Sequence, residues 1–144
     1  MDNILSNKNK DDVFVKHFRQ FHEQLRLESE RGSVIVGAAL IDDSLEEMLK
    51  ALMIASAQKD DELFNGPYAP SGSLSAKIDL AYRTGLISPK VRASLHLIRK
   101  LRNDFAHVSL QINFESPSVH SRIRELFNLN KELFETLSQI LKDN

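Results

Sequence analysis

An all-α fold of about five helices is what this sequence predicts, and three features predict it. Apolar residues recur at spacings of three and four along nearly the whole chain, which lines one face of a helix with 3.6 residues per turn. Serine or aspartate stands at the start of these stretches, twice followed directly by proline, and glycine follows several of their ends. Those residues cap and stop helices. Alternation of the kind that marks a half-buried strand is confined to VSLQINFES, which reads as a short extended connector. At 144 residues, 42% of them hydrophobic and 27% charged, the chain suits one folded domain. Residues 1–10 read as a disordered terminus and 11–144 as a single helical bundle domain.

The first helix is capped by Asp11 or Asp12, carries Phe14, Phe18, Phe21 and Leu25 on one face, and is ended by Gly32. The second is SVIVGAALIDDSLEEMLKALMIASA. It is apolar on all sides from Val34 to Ile41, which predicts a central helix, and Gly37, Ala38 and Ala39 let a neighbour approach closely. QKDDELFNGPYAPSGS is a loop broken by Gly66, Pro67, Pro70 and Gly72. Ser73 then caps a short third helix, LSAKIDLAYRT, closed by Gly85. Ser88-Pro89 opens the fourth, with Val91, Leu95, Ile98, Leu101 or Arg102, and Phe105 along its seam. Ser116-Pro117 opens the last, whose stripe runs through Val119, Ile123, Leu126, Phe127, Leu133, Phe134, Leu137 and Leu141. That stripe covers the core of its own bundle or helps to form a dimer.

Charge and composition exclude some chemistries. The formal net charge is −1, so whole-surface attraction to nucleic acid, which rests on Lys and Arg neutralising phosphates, is not expected. The chain has no cysteine, which removes disulfides, thiol catalysis and thiolate metal sites. No apolar run approaches the ~20 residues of a membrane span, and MDNILSNKNKDD has no signal core. The expected location is the cytoplasm.

Four features are candidates for chemistry. LRNDFAH, residues 101–107, places Arg102, Asn103 and His107 near a helix end. Positions five apart differ by ~140° around a helix axis, so Arg102 and His107 share a face only if the helix ends between them or two copies meet; Asn103 and His107, four apart, do share one. His107 suits general acid–base work and Arg102 suits a phosphorane-like charge, a pair able to cleave RNA without a metal. The same residues also suit a purely structural helix end, where Arg102 pairs with acids of the preceding helix and His107 caps carbonyls. The second feature is an acidic cluster, Asp42, Asp43, Glu46 and Glu47. With no histidine at ligand spacing, it reads as a solvated stripe or as a partner for a basic helix, and no metal or cofactor is expected. The third is that basic helix, with Lys90, Arg92, Arg99 and Lys100 beside Arg102; it suits RNA phosphates, an acidic protein, or the acidic cluster of its own domain. The fourth, Ser71-Gly72-Ser73 before the third helix, lacks the glycine–lysine spacing of a nucleotide loop. The helices on either side of Gly85 have a helix-turn-helix outline, but SPKVR offers few base-reading side chains, so direct DNA binding is doubtful.

Three blocks resemble the mannitol operon repressor (MltR) family: SERGSVIVGAALIDDSLEEMLKALM, LFNGPYAPSGSLSAKIDLAYRTGLIS and LIRKLRNDFAHVS. The resemblance covers about residues 11–140. It implies a regulator of sugar-alcohol uptake and metabolism genes, working through a protein partner such as a phosphotransferase-system component. R-N-x-F-A-H also resembles the motif of the wider HEPN superfamily of helical domains. That likeness implies a paired domain and a metal-independent ribonuclease carried by Arg102, Asn103 and His107, although many such domains only mediate contacts.

Overall fold

The computed structural model describes residues 2–107 and 111–142, with side chains from residue 13 onward. Among the described residues six helices follow one another: α1 (Asp2–Arg26), α2 (Glu30–Leu52), α3 (Leu74–Arg83), α4 (Pro89–Ala106), α5 (Pro117–Leu129) and α6 (Lys131–Lys142). There is no strand among the described residues. Most of VSLQINFES is irregular; its residues 108–110 lie outside those described.

Three caps fall where the sequence puts them. Ser73 Oγ accepts from the Ala76 amide at 3.1 Å and Ser88 Oγ from the Val91 amide at 3.2 Å, each satisfying an orphan donor of a first turn. Gly85 ends α3 at φ +78°, a left-handed conformation that only glycine adopts without steric cost. There the Leu86 amide bonds back to the Ala81 carbonyl at 2.9 Å.

Other boundaries differ from expectation. The helical backbone of α1 reaches back to Asp2, across residues read as a disordered terminus. The break between α1 and α2 lies at residues 27–29, not at Gly32, because Ser29 caps α2 by accepting from the Gly32 amide at 3.0 Å. Gly32 is therefore inside a first turn. The last helix is two. Asn130 breaks it with φ −123° and ψ 29°, and its side-chain amide donates to Ser94 Oγ at 2.8 Å and to the Leu126 carbonyl at 2.9 Å. Ser116 makes no side-chain cap; its hydroxyl accepts from the Asn113 amide instead.

Two apolar clusters hold the helices. Leu45 and Leu49 of α2, Ile78 and Ala81 of α3 and the loop residue Phe64 form one. Leu101 and Phe105 of α4 with Val119 of α5 form the other, flanked by Val34, Ile35, Ile112, Phe114 and Ile123. α2 packs on α1, α3 and α4, and α4 also on α3 and α5, while α6 packs on α5. α2 is not enclosed on all sides, since Val36 and Leu40 remain 40% and 42% exposed. Its outer face, with Val91, Leu95 and Ile98 of α4, instead borders an open space.

A candidate site on helix α4

The heptapeptide LRNDFAH divides its side chains among three directions. Leu101 and Phe105 point inward, and the Phe105 ring meets Phe114 edge-on, centroids 5.8 Å apart. Asp104 pairs with Arg122 and ties the end of α4 to α5. Arg102 and His107 are exposed. The helix ends between them: His107 is the C-cap, at φ −75° and ψ 101°, with its amide 3.4 Å from the Asp104 carbonyl. Arg102 Nη1 donates to Asn103 Oδ1 at 3.0 Å. Asn103 therefore draws the guanidinium around the helix from its own face toward the one that Asn103 and His107 occupy.

The charge pairing differs from the simplest expectation. Acidic α2 does not neutralise basic α4. Asp42 and Glu46 turn instead to Lys77 of α3, whose Nζ lies 3.0 Å from Asp42 Oδ1 and 2.7 Å from Glu46 Oε2. The Asp42 contact is an ion pair not aligned as a hydrogen bond. Lys50 also pairs with Glu46. Lys77 is only 3% exposed, and Asp43 and Glu47 point to solvent. Hydrogen bonds from Lys50 and Lys77 hold the Glu46 carboxyl below its ordinary range. Burial pushes Lys77 down, but its hydrogen bond to Glu46 and the ion pair with Asp42 outweigh it and leave its pKa raised.

On α4 the four patch residues have different surroundings. Arg92 reaches Asp79 Oδ1 of α3 through Nε at 2.8 Å and Nη2 at 2.7 Å, and its guanidinium carbon lies 5.2 Å from the Tyr82 ring centroid. His96 Nε2 is 3.2 Å from the same Asp79 oxygen, and Arg99 Nε donates to His96 Nδ1 at 3.3 Å. Hydrogen bonds from Arg92 and then His96 hold the Asp79 carboxyl below its usual range. Lys90 and Lys100 are exposed, with no carboxylate partner among the described residues.

Sequence reasoning singled out neither Asp79, His96 nor Lys77, because their contacts cross from one helix to another. It also missed a groove of about 860 Å³ between α2 and α4, lined by Val34, Ile41, Leu45, Met48, Leu95 and Ile98 among others, with Phe21 of α1 and Phe134 of α6. Ser33 and Ser44 line it too, but their hydroxyls are bound to the Glu30 and Leu40 carbonyls, so the surface offered is apolar. Among the described residues no group of histidines and carboxylates could hold a metal ion, and no helix is long and apolar enough to cross a membrane. No protein-family model, no curated protein and no solved structure matches this chain.

Proposed function

We propose that this chain is a repressor-like regulator of sugar-alcohol uptake and metabolism genes, of the mannitol operon repressor kind, acting through protein contacts rather than through a DNA-reading element of its own. The three sequence blocks at 29–53, 63–88 and 97–109 support the gene class. The α2–α4 groove is the observation that supports the mode of action. Leu40, Met48 and Val91 stand exposed along it, and contiguous exposed apolar surface marks interaction sites. Asp43 and Glu47, exposed on α2 one turn from Leu40 and next to Met48, favour a partner with a basic rim. In this reading the protein is a cytoplasmic single-domain bundle, pairs as a homodimer, and meets a component of the phosphotransferase system. Co-purification of that component with wild type, lost in Met48→Lys, tests it; equal recovery with both would contradict it.

A second reading comes from a different class: a HEPN-type, metal-independent endoribonuclease. The exposure of Arg102 and His107 at the end of α4, with Asn103 between them, favours it. Cleavage of RNA in the presence of a chelator, lost in both Arg102→Ala and His107→Ala, is its test.

A further inference from the structure

Four cations on or beside α4 are neutralised by a carboxylate: Arg92 by Asp79, Arg122 by Asp104, Lys77 and Lys50 by Glu46. Three on its second half are not. Among the described residues Arg99, Lys100 and Arg102 have no acid partner. Two of these are nonetheless held in place, and by neutral acceptors: Arg99 by His96 Nδ1 and Arg102 by Asn103 Oδ1. A neutral acceptor orients a guanidinium without cancelling its charge. Arg99 and Arg102 are also three apart on one helix, so they are neighbours across a turn, an arrangement that like charges disfavour.

The contact at His96 has a fixed sense. A guanidinium has only donors and stays protonated, so His96 Nδ1 must carry the lone pair. The ring proton then sits on Nε2, which faces Asp79 Oδ1 at 3.2 Å. The result is a one-way chain: Arg99 donates to His96, and His96 donates to Asp79. It spends Arg99 Nε and leaves both terminal nitrogens of that side chain for another acceptor.

We propose that this face of α4 binds a phosphate-class oxyanion, with Arg99 and Arg102 as its two guanidinium ligands and the His96–Asp79 pair as the positioning residues of Arg99. A phosphate group has oxygens enough to accept from both arginines at once, whereas a carboxylate's two are filled by a single bidentate arginine. The anion is either a free phosphate or a phosphate of a polynucleotide backbone. Oxyanion binding on this face is independent of the α2–α4 groove and needs no cleavage chemistry.

The test titrates full-length protein with inorganic phosphate, followed by NMR, and with a labelled single-stranded RNA oligonucleotide, followed by anisotropy, near pH 7.5. Wild type should bind at least one probe saturably. Arg99→Ala and Arg102→Ala, each checked for folding by circular dichroism, should weaken binding about tenfold or more. His96→Ala removes no charge from the neutral ring but removes the acceptor, and should weaken binding severalfold. His96→Gln, whose Oε1 can accept from Arg99, should recover part of that loss. Nitrogen shifts of the wild-type His96 ring should report the Nε2–H tautomer. Phosphate binding as tight as RNA binding identifies a free-oxyanion site; RNA binding that weakens steeply with salt identifies a backbone site. Absence of saturable binding to either probe overturns the proposal, as does an Arg99→Ala protein that binds like wild type. Unchanged binding by His96→Ala overturns the positioning role.

Discussion

Lys77 of α3 reaches Glu46 of α2, with Nζ 2.7 Å from Oε2, in a setting that leaves the lysine almost wholly buried. The same ammonium faces Asp42 one turn away. One buried cation thus fixes how α3 lies against α2, beside the cluster of Leu45, Leu49 and Ile78. Removing it leaves two carboxylates confronting each other with Lys50 alone to offset them. Breaking a buried pair from one side costs about 3–5 kcal/mol. Asp42 and Glu46 keep some solvent contact, so Lys77→Ala should cost less, about 2–3 kcal/mol, read as a lowered urea midpoint. An unfolding free energy within about 0.5 kcal/mol of wild type would mean that the network is not stabilising.

The same network sets a pH dependence. The Glu46 pKa is lowered from 4.5, chiefly by Lys50 and then Lys77. A lowered folded-state pKa gives stability that is present above the unfolded value and lost as pH falls through the folded one. Burial opposes the charge of Lys77, but its hydrogen bond to Glu46 and ion pair with Asp42 outweigh that effect, and its pKa is raised from 10.5. A raised pKa gives stability that is complete below the unfolded value and lost as pH rises through the folded one. The network therefore supports the fold across the neutral range and fails at both extremes. Unfolding free energies of wild type and Lys77→Met against pH should converge in acid below the Glu46 titration. Curves that stay parallel there would contradict this assignment.

Gly85→Ala isolates a backbone effect. The position has φ +78° and nothing within 4 Å of an added Cβ, so only the left-handed conformation opposes the change. The expected loss is about 1–2 kcal/mol, measured by thermal or urea unfolding. No loss would imply that the turn between α3 and α4 relaxes to another shape.

For the ribonuclease reading, Arg102→Ala and His107→Ala should each leave the circular dichroism spectrum and the melting temperature nearly unchanged, because both side chains are exposed. If wild type cleaves RNA with metal chelated, both variants should lose about 100-fold or more in rate. Cleavage that survives in His107→Ala would remove that histidine from any acid–base role.

Much of this fold was legible because local chemistry decided it. The caps at Ser73 and Ser88, the stop at Gly85, and the inward Leu101 and Phe105 all follow from residues close in sequence. The misreadings also have causes. Gly32 looks like a stop, but a serine three residues earlier can cap a new helix, and Ser29 does so. Nothing near Asn130 breaks the apolar rhythm of Leu126, Phe127, Leu133 and Phe134; the break accompanies a buried hydrogen bond to Ser94, 36 residues away. Val34 to Ile41 looks central because it is apolar all round, and the surplus apolar face lines the groove. For the site, the sequence singles out Arg102, Asn103 and His107, but not the chain from Asp79 through His96 to Arg99, which depends on α3 folding back against α4.

The most direct test of the regulatory account is the transcript level of sugar-alcohol uptake genes in the native host. The gene for this protein would be deleted and then replaced by wild type, by Met48→Lys in the groove, or by His107→Ala at the end of α4. If the protein represses through the groove, deletion raises the transcripts, wild type and His107→Ala restore repression, and Met48→Lys, folded and at equal abundance, does not. Repression restored by Met48→Lys but not by His107→Ala would contradict it and move the function to the α4 end.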